Sequence, residues 1–112
     1  MVTPTVGSIV LVPFPFSDLS TAKLRPALVI ACSGNDDWVC VQITSNPYAD
    51  SHAITLNSLD FQSGSLYKVS YLRPGKLFTA HASLFRRSVG KITHKRLNSV
   101  LRAIIALLKA PC

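Results

Sequence analysis

The sequence predicts a mainly β protein of the α+β class, a small antiparallel β-barrel followed by a C-terminal α-helix. Short apolar segments rich in β-branched residues recur between positions 7 and 92. Turn residues separate them roughly every eight to twelve positions, which is typical of an all-β barrel or sandwich. After position 92 the apolar residues change to helical spacing, so one terminal helix follows the strands.

Seven segments are predicted as strands, and the links between them contain polar residues or proline. The turn residues from Ser33 to Asp37 join two of the segments directly and predict a β-hairpin. We expect a loop over residues 13–24, an irregular link over 57–64, and a turn at Pro74 and Gly75. The predicted strands cover residues 7–12, 25–32, 38–43, 52–56, 65–72, 76–79 and 88–92.

The stretch from Val12 to Ile30 is the most informative part of the chain. Pro13 and Pro15 each lack an N–H group and have a fixed φ, so we expect this segment to be extended but excluded from a central sheet ladder. Arg25 then stands at the start of a buried strand, beneath the predicted loop. A guanidinium in that position is well placed to hold a phosphate.

The terminal helix is predicted from His94 to about Lys109, with Thr93 as its N-cap. Its apolar stripe is wider than a single core contact requires. The sequence leaves two interpretations open, a broad core helix and a helix that also joins a dimer interface. The residues of the stripe are Leu97, Val100, Leu101, Ile104 and Leu108.

A chain of 112 residues with 48% apolar composition predicts one folded domain, residues 1–112. No apolar run is long enough to span a membrane, and no signal peptide is recognised, so a cytoplasmic protein is expected. The cysteines Cys32, Cys40 and Cys112 form no CxxC pattern and have no histidine at zinc-ligand spacing, so no metal or cofactor is expected. We expect Cys32 and Cys40 to be buried in neighbouring strands.

The charge is distributed unevenly along the chain. The net charge is +7, yet residues 1–60 contain all five acidic residues, and residues 61–112 contain only basic ones among their charged residues. Such a surplus attracts polyanions, and either a nucleic acid or an acidic protein would fit.

Four stretches resemble the PemK/MazF family of toxin endoribonucleases, in the family's order and at compatible spacing. They are Gly7 to Ser20, Lys23 to Val29, Gln42 to Ser45 and Ser70 to Thr79. The resemblance implies an SH3-like barrel, a homodimer, cleavage of single-stranded mRNA without a metal ion, and inhibition by an acidic antitoxin.

The chemistry of the residues agrees with this resemblance. In RNA the substrate supplies its own 2′-hydroxyl nucleophile, so the protein needs only to orient it, stabilise negative charge and allow the 5′-oxygen to leave. For Arg25, position alone favours a surface arginine at the start of a strand, and the resemblance over Lys23 to Val29 leads us to predict it as the phosphate clamp. Thr44 is either an ordinary strand end or, as we predict, a hydroxyl ligand of the phosphate or the 2′-hydroxyl. The resemblance adds Arg73 as a second catalytic cation. It also reveals a departure, because Gly75 stands where the family commonly has an acidic or polar side chain.

Further residues are predicted to bind the substrate, each with a structural alternative. Asp18 is expected to pair with Lys23, to cap the loop or to contact a base, and Phe16 either to pack or to stack on a base. His81 is a candidate acid or base, although a lone histidine is more often structural. The complete predicted substrate-binding set is Ser45, Asp18, Lys23, Lys76, Phe16, Arg86 and Arg87.

Two other functions are compatible with the sequence. The same barrel occurs in CcdB-type gyrase poisons, which act by binding a protein and have no need of the Arg25, Thr44 and Arg73 set. The substitution at Gly75 is also compatible with a catalytically weakened relative that binds RNA without cutting it.

Overall fold

The computed structural model describes residues 3–15, 22–47 and 49–112, with the backbone alone at positions 14, 15 and 22. These ranges contain seven strands, one α-helix and two short 3₁₀ turns, Ser58–Asp60 and Ala82–Leu84. The strands and the helix are β1 (Ser8–Pro15), β2 (Ala22–Gly34), β3 (Asp37–Thr44), β4 (Ile54–Leu56), β5 (Phe61–Gly64), β6 (Ser70–His81), β7 (Arg87–Ile92) and α1 (His94–Lys109).

The strands form one antiparallel sheet in the order β4-β6-β3-β2-β1-β7-β5. The sheet is a half-barrel with β4 and β5 at its two ends. The predicted class, a small antiparallel β structure with a C-terminal helix, is confirmed.

The predicted hairpin between β2 and β3 is also confirmed. Its turn residues Asn35 and Asp36 have φ angles of +56° and +61°, as a two-residue type I′ turn requires. Asparagine and aspartate tolerate this left-handed region better than other non-glycine residues. The turn pairs Gly34 with Asp37, and two irregularities farther along the hairpin shift the register to the pairs Val29–Cys40 and Ala27–Gln42.

Both faces of the sheet are buried at its centre. One face packs against α1, and we call this cluster the helix-side core. The opposite face has a second core of its own, so β2 contributes Leu28 to the first and Ala27 and Val29 to the second. The helix-side core consists of Ile9, Leu28, Val41, Ile43, Leu56, Leu72, Ile92, Leu97, Val100 and Ile104. The second core consists of Val10, Val12, Ala27, Val29, Cys40, Ala80, Ala82 and Phe85.

Helix α1 begins and ends where the sequence predicts. The Thr93 hydroxyl oxygen accepts a hydrogen bond from the Arg96 backbone N–H at 3.2 Å, which is the expected N-cap contact. Part of the predicted apolar stripe faces the core, but Leu108 is 70% exposed and the neighbouring Ile105 52% exposed. The apolar surface of the helix is therefore wider than its contact with the sheet.

The predicted loop over residues 13–24 is wrong at both ends. β1 continues to Pro15 and pairs with β2 up to Ala22, whereas its pairing with β7 stops at Leu11. The carbonyl of Leu11 accepts a hydrogen bond from Arg86 on the β7 side, and residues at alternate positions point their backbone groups to the same side. An N–H group at Pro13 or Pro15 would point to the β7 side of β1, where no strand of the described residues pairs with this part of β1. Both prolines are therefore tolerated.

The prediction of two separate strands around Gly75 is wrong. Residues 65–72 and 76–79 were predicted as two strands with a turn at Gly75, but β6 runs unbroken from Ser70 to His81. The irregularity lies within the strand. Because Leu72 pairs with Ile43 and Leu77 with Val41, residues 73–76 all lie opposite the single residue Gln42. We call residues 73–76 the β6 bulge. In the preceding predicted link, residues 61–64 form β5.

The cysteine prediction is half right. Cys32 and Cys40 do lie in the neighbouring strands β2 and β3, but Cys32 is exposed and only Cys40 is buried. Burial raises the pKa of the Cys40 thiol to about 12, so this side chain is a packing residue. In the described part of the chain, no helix is both long and apolar enough to cross a bilayer.

The Thr93 cap gives a stability prediction. Replacing Thr93 by alanine removes the acceptor for the Arg96 N–H and should lower the free energy of unfolding by about 1 kcal/mol. Chemical denaturation of Thr93→Ala should show this loss, with the exposed Thr55→Ala as the control that stays at the wild-type midpoint. An unchanged midpoint for Thr93→Ala would show that the cap is not a stabilising contact.

Candidate active site

The register of the central strands gathers polar side chains at one end of the second-core face. Side chains directly opposite each other in a sheet share a face. Arg25 pairs with Val12, and Gln42 pairs with Ala27, so both lie on the face of the second core. Thr44 is two residues beyond Gln42 and pairs with Tyr71, which adds both of them to the same face. We call this group the polar face: Lys23, Arg25, Gln42, Thr44, Tyr71 and Arg73.

Arg25 occupies the position on β2 that the sequence predicts, at the polar end of a buried strand. Its side chain is half-buried, because Ala27 and Val12 of the second core lie beside it. Lys23 precedes it by two residues and is exposed on the same face. Together they give this end of the sheet two cations directed to the same side, as an anionic ligand would require.

Thr44 ends β3, and its side chain is half-buried. The Thr44 hydroxyl oxygen accepts a hydrogen bond from the Asn46 backbone N–H at 3.1 Å. This contact fixes the hydroxyl group at the strand end, and a hydroxyl that accepts a bond in this way still has a hydrogen to donate. Ser45, the next residue, is exposed.

Arg73 forms an ion pair that the sequence does not reveal. Its Nε donates to Oδ2 of Asp50 at 3.0 Å, and both side chains are largely buried, with 18% and 14% exposed. Asp50 lies in the loop between β3 and β4. Alternation from Leu72, which belongs to the helix-side core, places Arg73 on the polar face with Tyr71 and Thr44.

The loop holds Asp50 through several further hydrogen bonds. Its Oδ1 accepts from the His52 backbone N–H at 2.9 Å, its own N–H donates to the Pro47 carbonyl, and its carbonyl accepts from the Ala53 N–H. The hydrogen bond from Arg73 and, after it, the one from His52 lower the pKa of the Asp50 carboxyl below its ordinary value of 3.8. Asp50 is therefore ionised at neutral pH and paired with Arg73.

The other predicted binding residues are spread more widely. Lys76 is exposed at the end of the β6 bulge, beside a cavity of about 170 Å³ that it lines with Gln42, Leu77 and Phe78. Arg86 is exposed and donates to the Ser83 carbonyl. Phe16 and Asp18 lie outside the described residues.

The register separates Arg87 from the polar face. Arg87 pairs with Leu11, and Leu11 also pairs with Pro26, the residue after Arg25. Because neighbouring residues in a strand point to opposite faces, the side of the sheet that Arg87 shares with Pro26 is not the side of Arg25. This placement does not support the predicted binding of substrate by Arg87 together with Arg25.

His81 has a structural role. Its Nδ1 accepts a hydrogen bond from the Ser83 backbone N–H at 3.1 Å and so caps the 3₁₀ turn Ala82–Leu84. It also pairs with Asp37, beside the β2–β3 turn and far along β3 from Thr44. The structural alternative for His81 thus agrees with the structure better than a catalytic one.

Two residues of the site were missed by sequence reasoning. Asp50 received no role, because its partner Arg73 is 23 positions away along the chain. Gln42 was noted only as part of a motif. The Gln42 side-chain oxygen is buried without a hydrogen-bond partner among the described residues. The one available signal for Asp50 was the scarcity of acids in a strongly basic chain.

A larger cavity, of about 450 Å³, lies elsewhere, at the start of α1, and is lined by Leu59, Asp60, Thr93, Lys95, Arg96 and Ser99. Asp60 and Arg96 form an ion pair there at 3.0 Å. We place the candidate site on the polar face because its arginines and its hydroxyl group fit phosphate chemistry. In the ranges that the structure describes, no three His, Cys, Asp or Glu side chains converge to hold a metal ion.

Gly75 points away from the polar face. A Cβ atom built at Gly75 would lie 3.5 Å from Cδ2 of Leu107, near the C-terminal end of α1, which is an ordinary contact distance. A larger residue at this position would therefore begin on the helix side of the sheet.

The Asp50–Arg73 pair gives a pH-dependent stability prediction. The folded-state pKa of Asp50 lies below its unfolded-state value, so its stabilisation is fully present above pH 3.8 and is lost as the pH falls through the folded-state pKa. At pH 7, Asp50→Asn should lower the free energy of unfolding by about 1–3 kcal/mol, the range for one partner of a charged hydrogen bond. Thermal unfolding at pH 7 and in strong acid should show a gap between wild type and variant that closes in acid. A gap of constant size would contradict the ion pair.

Comparison with known proteins identifies the family. The model of the PemK-like, MazF-like toxin of type II toxin–antitoxin systems matches residues 5–108. No curated protein sequence matches the chain significantly.

Solved structures with the same fold agree with this. One is an endoribonuclease in complex with its cognate antitoxin from a mycobacterial species, with a TM-score of 0.74, 16% identity and coverage of 98% of this chain and 99% of the other. A MazE–MazF complex from Deinococcus radiodurans has a TM-score of 0.73, 18% identity and coverage of 96% and 97%. The Mycobacterium tuberculosis toxin MazF-mt6 has a TM-score of 0.70, 14% identity and coverage of 94% and 99%. At these identities the likeness concerns the fold. Together with the family match over residues 5–108, it shows that this chain belongs to the PemK-like, MazF-like toxin family of type II toxin–antitoxin systems.

Proposed function

We propose that the protein is a toxin that cuts single-stranded mRNA at selected sequences, without a metal ion, on the polar face. The observation that supports this most strongly is that the β2–β3–β6 register brings Arg25, Thr44 and Tyr71 to one face of the sheet, to which alternation from Leu72 adds Arg73. The family match supports the same activity, because its solved relatives include endoribonucleases. An mRNA substrate would place the protein in the cytoplasm.

The reaction is a transesterification within the RNA. The 2′-oxygen bonds to the adjacent phosphorus, and the bond between that phosphorus and the 5′-oxygen breaks. The 2′-hydroxyl loses one proton and the departing 5′-oxygen gains one, so the step needs no co-reactant. The products are a 2′,3′-cyclic phosphate and a 5′-hydroxyl.

The residues divide this work by their chemistry. Arg25 would bind the scissile phosphate and stabilise the extra negative charge of the phosphorane, since its planar fork fits two phosphate oxygens. The Thr44 hydroxyl would donate to a phosphate oxygen or orient the 2′-hydroxyl. Arg73 would bind the adjacent phosphate or assist the departure of the 5′-oxygen. Lys23, Ser45 and Lys76 would contact the flanking RNA.

Two protein partners complete the proposal. Some solved relatives are complexes with antitoxins, and an acidic antitoxin would match the basic surface of this chain by replacing the RNA phosphates with carboxylates. A homodimer is proposed from the family resemblance, and the exposed apolar side chains of Ile105 and Leu108 are compatible with it. We further propose that residues 1–112 act as one domain.

The function can be tested by metal removal together with one substitution. Purified protein should cut a long single-stranded RNA in excess EDTA at discrete positions. Arg25→Ala should lower the cleavage rate by about 10²-fold or more, because it removes the proposed stabiliser of transition-state charge. Arg102→Ala is the matched control, since it removes the same charge from an exposed position on α1 and should leave the rate unchanged.

Three outcomes would contradict the proposal. Full activity of Arg25→Ala would remove Arg25 from the mechanism. Binding of RNA without cleavage by the wild type would indicate a weakened relative. Neither binding nor cleavage would favour a protein target, as in a gyrase poison.

A further inference from the structure

We propose that Asp50 is a positioning residue of the ribonuclease site, which holds the Arg73 guanidinium in its productive orientation from the β3–β4 loop. This inference rests on the proposed function, and it assigns a role to a residue that does not itself contact the RNA.

The sheet places Arg73 on the polar face but does not fix its guanidinium. Regular pairing between β3 and β6 ends at Ile43 and Leu72 and resumes at Val41 and Leu77. Arg73 is the first residue of the β6 bulge, where four residues of β6 share the single opposing residue Gln42. Bulges near active sites redirect side chains, but they also remove the constraint that a ladder provides. A long, flexible arginine in this position needs another contact to fix it.

Asp50 provides that contact through its carboxylate. Both oxygens of its carboxylate are engaged, Oδ2 by the Arg73 Nε at 3.0 Å and Oδ1 by the His52 backbone N–H at 2.9 Å. Its backbone N–H and carbonyl are bonded to Pro47 and Ala53. The preceding residue, Ala49, has a φ of +59°, which is unfavourable for alanine. Asp50 thus presents to Arg73 a carboxylate that is held by hydrogen bonds at both oxygens and at both backbone groups.

The charge of Asp50 favours positioning over proton transfer. The Arg73 hydrogen bond holds the pKa of Asp50 below its ordinary range, so the carboxylate is ionised at neutral pH and cannot serve as a proton donor. The same lowered pKa makes it a weak general base, and as an anion it would repel a phosphate that approached it directly. We therefore assign its favourable effect on the reaction to its hold on Arg73.

The test is a double-mutant cycle on RNA cleavage with Asp50→Asn, Arg73→Ala and the pair. Asparagine keeps an oxygen for the His52 N–H but presents an N–H₂ group to Arg73, so it breaks the ion pair and preserves the turn. Asp50→Asn should lower kcat by about 10-fold to 100-fold with little change in KM, as expected for a misplaced catalytic group. In the Arg73→Ala background the same change should have no further effect on kcat.

A second ion pair among the described residues provides the matched control for the loss of stability. Asp60 and Arg96 also meet at 3.0 Å, and the Asp60 side chain is likewise 14% exposed and accepts a backbone N–H, that of Asn57. It lies at the start of α1, away from the polar face. Asp60→Asn should lower stability as Asp50→Asn does, while kcat stays at the wild-type value. Thermal unfolding of each variant separates a loss of folded protein from a loss of rate.

Each remaining result is decisive. Wild-type kcat in Asp50→Asn would overturn the inference and leave the proposed function intact. A rate increase would show that the Asp50 charge only repels RNA. A loss of kcat that persists in the Arg73→Ala background would assign Asp50 a role independent of Arg73. An equal loss of kcat in Asp60→Asn would show that the effect of Asp50→Asn comes from lower stability alone. If the wild type itself fails to cleave RNA, the proposed function and this inference fall together.

Discussion

In the β2–β3 hairpin, Val29 pairs with Cys40 and Ala27 with Gln42, in a register that two irregularities separate from the turn at Asn35 and Asp36. The side chains of a strand alternate between its two faces, so a slip of one residue would exchange the two cores of the sheet. The same slip would turn Gln42 and Thr44 away from Arg25. One register thus determines both the packing of the sheet and the composition of the polar face, and this links the stability of the fold to the position of the proposed chemistry.

The ion pairs of the described residues join loops to regular elements. Two of its five acidic residues, Asp50 and Asp60, each hold an arginine at 3.0 Å and tie a loop to a regular element. Asp50 ties the β3–β4 loop to β6, and Asp60 ties the 3₁₀ turn to α1. The net charge of the chain is nevertheless +7, which favours a polyanionic partner. This balance suits the proposed function, in which a basic surface would bind RNA and an acidic antitoxin would cover it.

The sequence predicts local features well and long-range ones poorly. The helix bounds, the Thr93 cap and the hairpin follow from local rules of capping and turn chemistry, and the structure confirms them. The continuity of β6 through Pro74 and Gly75 was missed, because a bulge is stabilised by neighbouring strands that local patterns do not show. Asp50 was missed for the same reason, since its partner is distant in sequence. Arg25, Thr44 and Arg73 were found through the family resemblance, and their catalytic roles stay predictions.

In the proposed mechanism the RNA supplies the nucleophile, and the polar face supplies only orientation and charge stabilisation. The most direct test uses a short RNA that contains one cleavage site and a matched RNA in which the nucleotide on the 5′ side of that bond is 2′-deoxy. With the wild-type protein in EDTA, the account predicts cleavage of the first RNA and equal binding but no cleavage of the second at that bond. Cleavage of the deoxy bond would show that the nucleophile comes from the protein or from water, and would contradict the account.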